Sequence, residues 1–83
     1  MTPAAPLNQL NRLRWHSRRG LLELDLVLER FWLRHGESLS LDQAAALELV
    51  LELEESDLWD VISGRRAIAP QSLQPMIELL REV

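Results

Sequence analysis

Leucines recur every three or four residues along most of this chain, interrupted at a few short polar breaks. Leu7, Leu10 and Leu13, with Arg14 alongside, share one face of a helix predicted over about 7–17, which stops near Arg18 to Gly20. Leu21, Leu24, Leu28, Phe31 and Trp32 form a single apolar stripe and predict a second helix over about 20–34, closed by His35 and by Gly36 as a C-terminal stop. Glu37 to Ser40 reads as a loop in which Ser40 caps a third helix running to about Leu53. Asp42 complements that helix's N-terminus, and Ala44, Leu47, Val50 and Leu51 form its apolar face. Ser56 caps a short fourth helix to Ser63, with Leu58, Trp59 and Ile62 inward and Gly64 as its end. Pro70 opens a fifth helix to about Glu82, with Leu73, Ile77 and Leu80 inward. Residues 1–6, with two prolines and two alanines, read as a disordered lead-in.

Five short helices exhaust the chain and predict an all-α fold, a compact bundle forming a single domain over 7–83. No repeat of 20 or more residues appears, so a solenoid is excluded. With 83 residues the core is thin and has little room for a deep substrate cavity. The absence of cysteine removes disulfides, zinc knuckles and thiolate nucleophiles. No apolar run approaches the roughly 20 residues needed to cross a bilayer, so no membrane insertion is expected. The first ten residues lack the basic start and apolar run of a secretory signal, and no Arg precedes Arg12, which points to a cytoplasmic protein.

Charge is distributed unevenly. Residues 1–36 carry six Arg against three acids, residues 37–62 carry eight acids and no base, and residues 63–83 carry three Arg against two Glu, for a net charge of −4. Every basic residue is Arg, which suits bidentate pairing with carboxylate or phosphate more than diffuse attraction to a polyanion. Because the positive excess sits mainly in residues 1–36 and the chain as a whole is acidic, a nucleic-acid partner is not expected.

The usual catalytic constellations are missing from the sequence. His16 and His35 lie 19 residues apart on different helices, without a second His at metal-pair spacing, and are assigned surface or capping roles. No serine sits in a Gly-x-Ser-x-Gly elbow, and the three glycines stand singly, so neither a nucleophile nor a phosphate cradle is indicated. The acidic run Glu52 to Asp60 reads as a solvated face, with a partner-facing patch as its alternative.

The junction Trp15-His16-Ser17-Arg18-Arg19-Gly20-Leu21-Leu22-Glu23-Leu24-Asp25 is the informative segment. Gly20 can serve there as a helix N-cap with Glu23 folding back as in a capping box. A glycine flanked by Arg forks and a carboxylate equally suits close docking onto a polar protein surface.

Arg19-Gly20-x-x-Glu23, preceded by Trp15 and Arg18 and followed by Leu24-Asp25, resembles the RGxxE motif of the succinate dehydrogenase assembly factor 2 family, the FAD assembly factors. The resemblance runs from about Asn11 through Phe31 to Asp57-Leu58 and Gly64-Arg65-Arg66. Val61 stands where family members often carry a second Trp, and Trp59 lies two residues earlier.

The resemblance implies a five-helix protein that binds the flavoprotein subunit of succinate dehydrogenase or fumarate reductase and promotes covalent attachment of FAD to a histidine of that subunit. Motif and missing catalytic groups together lead us to expect a chaperone and not an enzyme; the chain is expected to be monomeric when free, with FAD attached to the partner and no cofactor held stably by the chain itself. Arg18, Arg19, Gly20 and Glu23 would be partner-binding, with Trp15 and Asp25 beside them. A small regulatory or antitoxin-like helical module that binds a partner unrelated to flavin is the alternative.

Overall fold

The computed structural model describes every residue except Met1, Thr2, Arg19, Glu37 and Ala69. Five α-helices follow one another: α1 (Leu7–His16), α2 (Leu22–His35), α3 (Leu41–Val50), α4 (Glu55–Ile62) and α5 (Gln74–Arg81), with a 3-10 turn at Gln71–Leu73 before the last. The described residues contain no strand, only one isolated bridge between Ala4 and Ser40. The protein is an all-α single domain, as the leucine spacing predicts.

Helix α5 packs against α2, α3 and α4, while α1 lies on α3 and α2 on α4. The apolar stripes of all five helices therefore meet around one core. Leu13, Leu24, Leu28, Phe31, Leu47, Leu58, Ile77 and Leu80 are all under 2% exposed. Val61 and Met76, absent from the predicted faces, are buried as well, because α4 and α5 bury positions three and four apart on a wider stripe than the leucines alone mark. Trp59 is half-buried at the edge of this core.

Helix starts and stops correct several expectations. Ser40 caps α3 in a full capping box: its Oγ accepts the Gln43 N–H at 3.1 Å, and its own N–H donates to Gln43 Oε1 at 2.9 Å. The helix ends at Val50 and not near Leu53, since Glu52 and Leu53 already donate to carbonyls only three residues back. Ser56 does not cap α4; it sits inside the first turn, Glu54 is the N-cap, and no side chain closes that end. Gly64 terminates α4 as predicted, at φ +88°, with the Arg65 N–H reaching the Asp60 carbonyl at 2.9 Å and the Gly64 N–H the Val61 carbonyl at 3.2 Å. Gly36, expected to play the same part for α2, stays right-handed at φ −56°.

Pro70 is not the first-turn proline of α5. Pro75 holds that place, and Pro70 precedes the 3-10 turn instead. An α-helix begun at Pro70 would put Pro75 in its interior, without an N–H and with its ring against the carbonyl four residues back.

Pro3 to Pro6, read as part of a disordered lead-in, are tied to the start of α3; Met1 and Thr2 lie outside the described residues. The Ala5 N–H donates to the Leu39 carbonyl at 3.0 Å, and the Leu41 N–H to the Pro3 carbonyl at 2.7 Å, which satisfies an otherwise orphan donor at the α3 N-terminus. Ala5 is buried, whereas Leu7, predicted inward, is 71% exposed. The lead-in, not the first leucine, closes that end of the core.

Candidate functional site

The last turn of α1 sends consecutive side chains in different directions. Trp15 is 73% exposed, His16 and Arg18 point to solvent, and Ser17 between them is the one buried polar residue among those described. Its Oγ donates to the Leu13 carbonyl at 2.8 Å and accepts the Trp32 indole N–H at 2.9 Å. Across the same contact the Arg14 guanidinium lies 5.2 Å from the centre of the Trp32 ring, within cation–π range. The end of α1 is thereby pinned to the last turn of α2, and Arg18 and Gly20 in the connection between them are exposed.

Within that connection Gly20 takes φ +86°, a conformation that costs a side-chain-bearing residue about 1–2 kcal/mol. A Cβ built there would have nothing within 4 Å, so the requirement at this position is conformational and the space above it is open. The expected capping box is not formed. Leu21 is the N-cap, extended at φ −93° and ψ 115°, and no side chain caps the helix. The left-handed turn at Gly20 delays the helix start to Leu22, which puts Glu23 one position too early to fold back on the cap. Glu23 is instead an exposed first-turn acid, placed with Asp25 where negative charge suits the helix N-terminus.

The structure brings part of the predicted set together. Arg18 and Asp25 line an open groove of about 600 Å³ along with Arg14, Ser17, Leu28, Glu29, Trp32 and Leu33. Trp15 and Arg18 line a second, of about 410 Å³, facing Glu48, Leu51 and Glu52. Arg18 therefore stands on the ridge between two depressions, with Glu23 bordering neither. Arg19, the first residue of the motif, lies outside the described residues. Sequence reasoning missed Arg14, Trp32 and Leu33. The available signal was that Trp32 and Leu33 adjoin at the edge of the α2 stripe, where a face too wide for the core must emerge.

The second part of the resembling sequence does structural work. Asp57 pairs with Arg66 at 2.9 Å and Asp60 with Arg65 at 3.6 Å, so the loop after Gly64 folds back on the acidic run. Val61, where a second Trp was expected, is 2% exposed and packed in the core. No group of three or more His, Cys, Asp or Glu residues suited to a metal occurs among the described residues, and no helix there is long and apolar enough to cross a membrane.

Fold and junction together define a small all-α domain whose exposed Trp, Arg and left-handed Gly are concentrated between its first two helices. The family model described as flavinator of succinate dehydrogenase, Sdh5, matches residues 11–83, and the chain belongs to that family. It is 42% identical over 76 residues to the FAD assembly factor SdhE of Ralstonia nicotianae, covering 87% of this chain and 80% of that protein. It is 33% identical over 72 residues to the FAD assembly factor SdhE of Pseudomonas aeruginosa, covering 87% and 86%. A further relative of the same name, from Idiomarina loihiensis, is 32% identical over 74 residues, covering 89% and 82%. No solved structure matches the chain.

Proposed function

We propose that this chain is an assembly factor that binds the flavoprotein subunit of succinate dehydrogenase, or of its fumarate reductase relative, and promotes covalent attachment of FAD to that subunit. Family membership across residues 11–83 carries the reading, supported by relatives that bear the name FAD assembly factor. The chain acts in the cytoplasm as a monomer, holds no FAD stably itself and contributes no catalytic group. It works by binding a flavinylation-competent arrangement of its client better than other arrangements, and shifts the client only by that difference in affinity.

In this reading Arg18 and Arg19 pair with client carboxylates, Glu23 accepts from client donors, and Trp15 supplies an apolar anchor. Gly20 lets the client backbone approach closely, and Asp25 borders the contact. The exposed, left-handed Gly20 with open space above it supports that assignment.

The test is co-expression of the flavoprotein subunit with and without this chain, followed by denaturing electrophoresis and in-gel flavin fluorescence. Covalent flavin is expected to rise with the unmodified chain and with neither Gly20→Arg nor Glu23→Ala, both variants remaining helical. Flavin attachment indifferent to the unmodified chain would overturn the proposal.

A further inference from the structure

The face of α2 that turns from the core is not uniformly polar. Leu33 is 82% exposed and joins Leu28 and the Trp32 ring as the apolar part of the groove of about 600 Å³ beside α1. Arg14 and Arg18 stand on the α1 side of this groove, and neither forms an ion pair among the described residues. Asp25 and Glu29, both on α2, border the groove opposite them. The Trp32 ring is already fixed, by the Ser17 hydroxyl at its N–H and the Arg14 guanidinium over its face. An occupant would therefore meet a preformed surface, with little side-chain ordering left to oppose binding.

We infer that this groove docks one segment of the flavoprotein client, which lays an apolar side chain against Trp32 and Leu33 and presents a carboxylate to Arg14 and Arg18. The inference rests on the client reading above and adds to it a second contact, outside the Arg19-Gly20-x-x-Glu23 stretch. Charge complementarity selects the occupant: two guanidinium forks that form no ion pair among the described residues, beside apolar surface, suit a carboxylate held bidentately. Asp25 and Glu29 across the groove repel a carboxylate presented in the reverse sense and so fix the direction of the segment. Trp and Arg are also the residue types that most often dominate binding energy at interfaces. A second copy of this chain is a poor occupant through its own acidic run, because Leu58 there is buried and Leu53 and Trp59 are half-buried.

Titration of the purified flavoprotein subunit with the full chain tests this, using Leu33→Asp, Arg14→Gln and, as a control on another exposed leucine outside the groove, Leu7→Asp. Both groove variants are expected to bind at least about tenfold more weakly with the circular dichroism of the free chains unchanged; melting should stay at the parent value for Leu33→Asp and fall only by the few degrees of the lost Trp32 contact for Arg14→Gln. Arg14→Gln should also flatten the salt dependence of binding, and Leu7→Asp should bind as the parent does. Parent-like binding by both groove variants, alongside loss of binding by Gly20→Arg, would overturn the groove inference and leave the client reading intact. No binding by the unmodified chain would bring down the client reading and the groove with it. A self-associated free chain dispersed by Leu33→Asp in sedimentation would assign the groove to a second copy and overturn the inference as well.

Discussion

Trp32 donates its indole N–H to the hydroxyl of Ser17 at 2.9 Å, and this bond between residues 15 apart sets where α1 ends relative to α2. The hydroxyl passes the interaction on to the Leu13 carbonyl at 2.8 Å, so one small side chain ties a helix end, a loop and a neighbouring helix together. Ser17→Ala leaves the half-buried indole N–H without its partner and is expected to cost about 1–2 kcal/mol. In a domain of this size each kcal/mol lowers the melting temperature by about 4–8 °C, which thermal unfolding followed by circular dichroism will read. Ser17→Thr, which keeps the hydroxyl, should recover most of the loss.

Gly36 and Gly64 should respond to alanine for different reasons. At Gly36 the backbone is ordinary, but a Cβ would run into the Trp32 carbonyl and come within 2.7 Å of Arg14 Nη2. The guanidinium can move aside and the carbonyl cannot, so Gly36→Ala is expected to destabilise by about 1–3 kcal/mol through overpacking. At Gly64 there is space, the nearest atom being Arg81 Nη2 at 3.9 Å, and the cost of about 1–2 kcal/mol is that of the left-handed backbone. Asn tolerates that conformation, so Gly64→Asn should recover stability in urea titration while Gly36→Asn should not.

Arg81 and Arg66 both interact across the α4–α5 end, with unequal consequences. Arg81 donates from Nε to the Ile62 carbonyl at 3.0 Å, an acceptor that the end of α4 leaves open, and from Nη2 to the Val61 carbonyl at 2.8 Å, a second donor beside the Gly64 N–H. Arg81→Met keeps the stem and removes those charge-assisted bonds, for an expected loss of about 1.5–3 kcal/mol. Arg66→Met breaks only a solvent-exposed pair with Asp57 and should cost no more than about 1 kcal/mol. Urea midpoints of the two variants decide the comparison.

Gly20 separates backbone strain from partner approach. Gly20→Ala places a Cβ on a left-handed residue and is expected to cost about 1–2 kcal/mol, while Gly20→Asn should cost less, because its short polar side chain tolerates that region. If the client approaches this backbone closely, Gly20→Asn should lower covalent flavin in the co-expression assay at nearly unchanged melting temperature. Full flavin attachment with that variant would show that Gly20 serves the turn alone.

Much of this fold was legible in the residues because helices are specified over short range. The stripes through Leu24, Leu28 and Phe31 and through Ala44, Leu47 and Val50 repeat within a turn or two, and the Ser40 cap and the Gly64 stop act within a few residues. Those features were recovered as read, and the motif spacing brought the family into view before any geometry. The same local rules misplaced Ser56, Pro70 and the Gly20–Glu23 box, where several residues could start a helix and a one-residue shift changes every role.

What the tertiary structure alone decided lies in contacts between segments distant along the chain. Leu7 lost its place to Ala5 because Ala5 pairs with Leu39. Gly36 is required small because the Trp32 carbonyl and the Arg14 side chain crowd it, a demand that its backbone angles do not reveal. The groove beside α1 exists because Ser17 and Trp32 find one another across 15 residues, and Arg14 and Leu33 border it only once they have. Periodicity reports which side of a helix is apolar; which neighbour that side meets, and what surface is left over, is settled only when the helices pack.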